Sequence, residues 1–237
     1  MLLEVTNLNT YYGHSHALQD MSLTVAPGEV VALLGRNGMG KSTTLKSIMG
    51  LLKPRSGRVL FDDREITGLA PFKIAKAGIG YVPEERRIFP TLSVLDNLMM
   101  GVKGGKIDKS NPEAWTIEKI FEHFPFMKER THQKGGHLSG GEQQMLTIGR
   151  TLMGNPKLLM VDEPTEGLSP IMVKEVRDVL RKISQSGIAI LLVEHNLKVA
   201  MSVATRVYLM AKARLGFAGT VAELAANPEV RAKYLEV

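Results

Sequence analysis

The sequence predicts an α/β protein with a mostly parallel sheet, an antiparallel N-terminal β flank and an inserted α-helical segment. Three observations predict it. Short apolar runs rich in branched residues recur at Val30 to Leu34, Leu158 to Val161 and Ile188 to Val193, the pattern of strands buried on both faces of a parallel sheet. Helix patterns lie between them, as where Met172, Val176, Val179, Leu180 and Ile183 share one face after Pro170. From about Thr91 to Leu152 the strand signal lapses, and two amphipathic stripes take its place: Ile117, Ile120, Phe121 and Phe124, then Met145, Ile148, Gly149 and Leu152. Alternating strands and helices point to an α/β core, and the middle stretch is its insertion.

Taken in order, Leu3-Glu4-Val5 and Met21 to Val25 alternate like strands exposed on one face, with Pro27-Gly28 as a turn before the first buried run. The core is expected over 1–90 and 153–237, and the helical segment over 91–152, with Gly101 to Lys106 as a loop inside it. A chain of 237 residues suits one core with an insertion better than two ordinary domains. With 44% hydrophobic and 23% charged residues it is not disordered as a whole. It has no cysteine, which excludes disulfide frameworks, thiolate metal sites and cysteine nucleophiles. Its apolar runs fall far short of the ~20 residues of a spanning helix, and Glu4 breaks the apolar start that a signal peptide would need.

Directly after the first buried run comes Gly35-Arg36-Asn37-Gly38-Met39-Gly40-Lys41-Ser42, a full match to G-x-x-x-x-G-K-[ST]. Glycines let such a loop curl its N–H groups toward phosphate oxygens, and the following helix adds its positive end. Lys41 is placed to reach the β- and γ-phosphates, and the Ser42 hydroxyl to ligate Mg2+. The amphipathic stretch from Thr43 to Met49 supplies the helix that the motif requires.

A second site stands at the end of the Leu158 run, where Asp162 and Glu163 follow Val161. Alone the two acids would read as a turn before Pro164. Beside a phosphate loop they read as a partner for Mg2+ (Asp162) and a base for the attacking water (Glu163). His195 follows Glu194 at the end of the Ile188 run. From its position alone it is either a surface or helix-end residue, with Asn196 capping the next helix, or a contact to the γ-phosphate or the water.

Leu138-Ser139-Gly140-Gly141-Glu142-Gln143-Gln144, with the phosphate loop upstream and Asp162-Glu163 downstream, resembles the signature of ABC-type ATPases. The resemblance covers nearly the whole chain and implies a P-loop NTPase core of the ABC type that binds ATP and Mg2+. It implies that the loop from Gly35 to Ser42, with Thr43, holds the nucleotide, that Tyr12 stacks on adenine and that His195 is the switch histidine. It also implies that Ser139, Gly140 and Gly141 close over the γ-phosphate of a nucleotide held by a partner subunit. Glu166 to Ser169 occupies the D-loop. Three positions depart from the pattern. Glu84 stands where Gln is usual, a potential anion among the contacts to nucleotide, Mg2+ and the membrane domain. Ser169 replaces an Asp, and the turn from Met210 to Arg214 lacks its glycine.

Pro83 to Pro90, Leu138 to Gly149 and Glu163 to Pro170 resemble most the ATP-binding subunit of branched-chain (hydrophobic) amino acid importers, although that branch commonly has Gly in place of Glu85. Similar subunits serve urea or short-chain amides, or drive lipopolysaccharide export. The resemblance implies a dimer with a second copy or a paralogue, membrane permease subunits, an indirect link to a substrate-binding protein, and a peripheral place on the cytoplasmic face of the inner membrane. Nucleic acid is not an expected partner, because relatives that act on it usually carry tandem cassettes or a long coiled-coil insertion. The net charge of +6 is concentrated locally: between Lys41 and Lys76 eight basic residues face three acidic ones. A solvated face is expected there in preference to a membrane-subunit or lipid contact.

Overall fold

The computed structural model describes residues 1–103 and 113–235, so residues 104–106 of the glycine-rich loop lie outside the described residues. The chain opens with a hairpin of long strands, β1 (Leu3–Tyr12) and β2 (Ser15–Val25), followed by β3 (Val30–Gly35), α1 (Lys41–Ile48), β4 (Ser56–Phe61) and β5 (Arg64–Glu65). Helix α2 (Pro71–Ala77) leads into β6 (Ile79–Val82). A helical stretch follows: α3 (Val94–Met99), α4 (Ile117–His123), α5 (Pro125–Glu129), a 3-10 turn at Gly135–His137 and α6 (Gly140–Leu152). The last part runs β7 (Leu158–Asp162), α7 (Pro170–Gln185), β8 (Ala189–Glu194), α8 (Leu197–Val203), β9 (Arg206–Ala211), β10 (Arg214–Thr220), α9 (Val221–Ala226) and α10 (Pro228–Leu235).

Two sheets result. One has the order β10-β9-β3-β8-β7-β6, parallel except for the β9–β10 hairpin at its edge; the other, β2-β1-β4-β5, is antiparallel. The mostly parallel core and antiparallel flank expected from the sequence are therefore present. Every residue of β3, β7 and β8 is buried, and their alternate side chains feed two different cores. Ala32, Leu34, Leu159, Val161, Ile190 and Leu192 join α3 to α7 on one side. Val31, Leu33, Leu158, Met160, Leu191 and Val193 join α1 and the flanking sheet on the other. Burying strands on both faces requires an apolar residue at every position, and this is why these runs show no alternation.

The helical stripes pack as their spacing requires. Val176, Val179, Leu180 and Ile183 of α7 are buried, each worth about 1.5–3 kcal/mol relative to exposure. Ile120 and Phe124 enter the same core, with Ile117 and Phe121 packed against it. The predicted single helix through Phe124 instead ends at His123, because Pro125 starts α5 and the residue before a proline is driven out of the α region.

Candidate active site

Parallel pairing sets the ends of β3, β8 and β7 side by side: Leu34 lies opposite Glu194, and Val193 opposite Asp162. The phosphate loop, Asp162, Glu163 and His195 all leave the sheet at this edge. Between β3 and α1 the loop turns tightly at Gly40, where φ is +101° and an added Cβ would come within 2.7 Å of the Ala17 carbonyl oxygen; only glycine fits. The first turn of α1 has neither an acidic residue nor a side-chain cap, which leaves its N–H groups open to an anion. Tyr12, Asn37, Gly38, Gly40, Lys41, Ser42, Thr43, Glu84 and Glu163 line one cavity of about 650 Å³.

Lys41 is buried at the floor. Its Nζ donates to the carbonyl oxygens of Gly35 (2.9 Å) and Arg36 (3.3 Å) and lies 3.0 Å from Glu163 Oε1. The second oxygen of Glu163 is 3.0 Å from His195 Nδ1. Burial alone would raise the Glu163 carboxyl, but the hydrogen bonds and charges of Lys41 and His195 outweigh it and hold the group below the usual range. Its backbone is left-handed, with φ +43°. Met39 packs under the loop, its sulfur accepting from the N–H of Lys212 at 3.1 Å.

Asp162 is tied elsewhere. Ser42 Oγ donates to its Oδ1 at 2.8 Å and the Tyr81 hydroxyl to its Oδ2 at 3.1 Å. Burial raises its carboxyl, opposed by these two hydrogen bonds. Burial and the neighbouring Asp162 push the Tyr81 phenol far up, so it serves as a donor. One carboxylate beside one hydroxyl is a donor set that suits Mg2+, which takes few protein ligands and completes its shell with water and phosphate oxygens. Among the described residues no three acidic or histidine side chains converge as a metal cage. Exposed Glu84 lines the cavity with Glu163 and Glu166, and burial plus the carboxylates of Glu163 and Glu84 raise Glu166.

The signature residues stand apart from this cavity. Ser139 caps α6: its Oγ accepts from the N–H of Glu142 while its own N–H donates to Glu142 Oε2 at 2.8 Å. Gly140 lies under the Arg86 guanidinium, where an added Cβ would come within 2.5 Å of Nη1. Ser169, in place of the usual Asp, caps α7 by accepting from the N–H of Met172, and Asn196 caps α8 as expected. The turn without glycine places Lys212 (φ +47°) and Ala213 (φ +65°) in the left-handed region, against the cavity wall.

Sequence reading missed two groups. Tyr81 stands three residues ahead of Glu84, and nothing in the local sequence reveals its contact with Asp162. Glu194 is fully buried, accepting from Thr165 Oγ1 at 2.6 Å and from the N–H of Asn196 at 3.0 Å; burial raises its carboxyl. An acid closing an otherwise apolar buried run was the available signal. It ties the segment after Glu163 to the one carrying His195.

Residues 18–166 match the family model described as ABC transporter. The chain is 42% identical over 234 residues to the high-affinity branched-chain amino acid transport ATP-binding protein BraG of Pseudomonas aeruginosa, covering 99% of each. It is 34% identical to the lipopolysaccharide export system ATP-binding protein LptB of Escherichia coli, covering 98% of this chain and 96% of that protein. Among solved structures it resembles a dimeric ATP-binding cassette in a post-hydrolysis state bound to ADP and Pi, with a TM-score of 0.78 and 25% identity over 92% of this chain and 98% of the other.

Proposed function

The chain belongs to the ABC transporter family, and from that premise we propose that it is the ATP-binding and ATP-hydrolysing subunit of an importer of branched-chain or other hydrophobic amino acids. The observation that carries the hydrolytic part is the buried Lys41–Glu163 pair in the cavity, with exposed His195 on the second oxygen of Glu163. In this reading the loop from Gly35 to Ser42, with Thr43, cradles the phosphates and Tyr12, half exposed at the cavity rim, receives the adenine. Ser42 and Asp162 hold Mg2+, with Glu84 beside them; the ion's part is to neutralise phosphate charge. Glu163, kept ionised, accepts the proton of the attacking water, and His195 orients that carboxylate. Lys41 exchanges Glu163 for phosphate oxygens when nucleotide enters.

Ser139, Gly140 and Gly141 lie outside the cavity of their own chain, which favours their use by a partner subunit's nucleotide. A second copy or a paralogue would complete two such sites, and closing and opening of that pair would drive separate permease subunits. No helix among the described residues is long and apolar enough to cross a membrane. The likeness to a transport ATP-binding protein supports a peripheral place at the cytoplasmic face of the inner membrane, bound to those permeases.

The cargo reading rests on the full-length likeness to BraG. The likeness to LptB supports a second reading, an ATPase of lipopolysaccharide export. The experiment is uptake of labelled leucine by a strain whose chain is deleted, with and without re-expression. Restored uptake supports the importer. Unchanged uptake together with a lipopolysaccharide export defect supports the alternative.

A further inference from the structure

We propose that Tyr81 is a positioning residue for the Asp162 carboxylate, holding its second oxygen in place so that the first stays on Ser42. The inference rests on the reading of Asp162 as the metal-side acid. Strands β6 and β7 are parallel with Tyr81 opposite Met160, which sets the phenol beside the end of β7. Its hydroxyl reaches Asp162 Oδ2 at 3.1 Å while Ser42 reaches Oδ1 at 2.8 Å.

The terminal torsion of an aspartate is broad and two-fold, so one hydrogen bond leaves such a carboxylate free to rotate. Two donors on opposite oxygens fix its plane. Asp162 is 1% exposed, so bulk water does not supply the second donor, and among the described residues Tyr81 is the side chain bonded to Oδ2. Groups that orient a metal ligand in this way set affinity without touching the ion. Tyr81 also stands three residues before Glu84 on one continuous segment, so the strand that carries it leads directly into the Glu84 loop.

Tyr81→Phe isolates the hydroxyl. It keeps the ring, which packs against the core below the sheet and forms part of the wall of a cavity of about 280 Å³ with Ala75 and Thr151. The probe is Mn2+, titrated by its electron paramagnetic resonance signal against the full chain saturated with ATP. Tyr81→Phe is expected to weaken Mn2+ binding about tenfold or more, with metal-free ATP affinity unchanged and the melting temperature lowered by a few degrees, as a buried carboxylate oxygen left without its donor requires. Asp162→Asn is titrated in parallel. If Asp162→Asn loses Mn2+ and Tyr81→Phe does not, the positioning role is overturned. If Asp162→Asn also binds Mn2+ normally, the metal-side reading fails first. Tyr81→Leu separates hydroxyl from ring: equal losses in Phe and Leu support the proposal, whereas a loss in Leu alone assigns the effect to ring packing and overturns it.

Discussion

Replacing Glu163 by Gln should lower the stability of the nucleotide-free chain and tighten its hold on ATP. The two effects share one origin. Lys41 and Glu163 are 3% and 7% exposed and 3.0 Å apart, a separation worth about 5 kcal/mol of gross attraction at an effective dielectric near 20. Burial of both charges consumes much of that, and a glutamine oxygen would still accept from Lys41, which keeps its bonds to Gly35 and Arg36. What is lost is the charge assistance of one buried bond, about 1.5–3 kcal/mol. For a chain of this size about 2 kcal/mol lowers the melting temperature by roughly 4–8 °C. ATP, however, no longer has to break an ion pair to reach Lys41, and even the lower end of that range corresponds to roughly tenfold tighter binding. Trp115, the only tryptophan and 2% exposed, reports unfolding by its fluorescence. Titration with a fluorescent ATP analogue in a metal chelator reports affinity without turnover. A variant that melts at the wild-type temperature and binds ATP no more tightly would refute the idea that Glu163 occupies the phosphate site's lysine before nucleotide arrives.

Three further predictions follow from particular residues. Ser139→Arg removes the α6 cap and should cost about 1 kcal/mol, leave ATP binding by the isolated chain intact and abolish hydrolysis; loss of binding by the monomer contradicts a site completed by a partner. Ala213→Gly relieves a left-handed alanine at φ +65° and should stabilise the fold by about 0.5–1 kcal/mol, seen as a higher urea midpoint at unchanged slope. Glu29 is held below its usual pKa: burial would raise it, but Arg206, at 2.7 and 2.9 Å, and the Ala26 N–H outweigh burial. Its stabilisation is therefore complete above the unfolded value and is lost as pH falls through the lower folded one. Glu29→Gln should be destabilised by about 1 kcal/mol at neutral pH, with the gap closing below about pH 4; a gap that widens in acid would reverse the assignment.

The parts of the fold that were legible are those whose residues answer to one environment. Val30 to Leu34 and Ile188 to Val193 are apolar throughout because both faces of their strands are covered, and the α7 stripe shows because one face of a long helix is buried. The flank was read only in fragments. Strands β1 and β2 extend to Tyr12 and from Ser15, but register shifts between Val5 and Leu8, Leu8 and Thr10, and Thr10 and Tyr11 break the period of two. Asn7 and Asp20 sit in left-handed turns of the backbone there, and Asn9 holds Asp20 through a side-chain hydrogen bond at 3.0 Å. Strand β6, at four residues, is too short for any periodic signal, so its contribution to the site through Tyr81 could not be anticipated. The basic stretch is largely exposed, as either a solvated face or a contact surface requires, and some of its charge is used locally: Arg58 pairs with Glu65, and Arg55 lies over the Tyr11 ring and donates to the Gly13 carbonyl.

Asp162 and Glu163 are neighbours in sequence, and like charges so close would ordinarily hinder each other's ionisation. The fold separates them by direction. Asp162 is the last residue of β7; among the described residues the donors to its carboxylate are the neutral hydroxyls of Ser42 and Tyr81, so burial, helped by the charges of Glu84 and Glu163, dominates and its pKa rises. At Glu163 the backbone turns into the left-handed region, an uncommon conformation for a glutamate. Its N–H still donates across to the Val193 carbonyl at 2.9 Å, while its side chain meets Lys41 and His195, whose charges drive its pKa down. Adjacent acids pushed in opposite directions are suited to different tasks. The one that stays ionised most readily suits proton abstraction from water. The other, held by Ser42 and Tyr81, gains most from a divalent cation that stabilises its charge. This division depends on the backbone at residue 163 as much as on the two side chains. Glu163→Asp should therefore be a poor substitute despite its charge, because the shorter side chain cannot span from that turn to both Lys41 and His195.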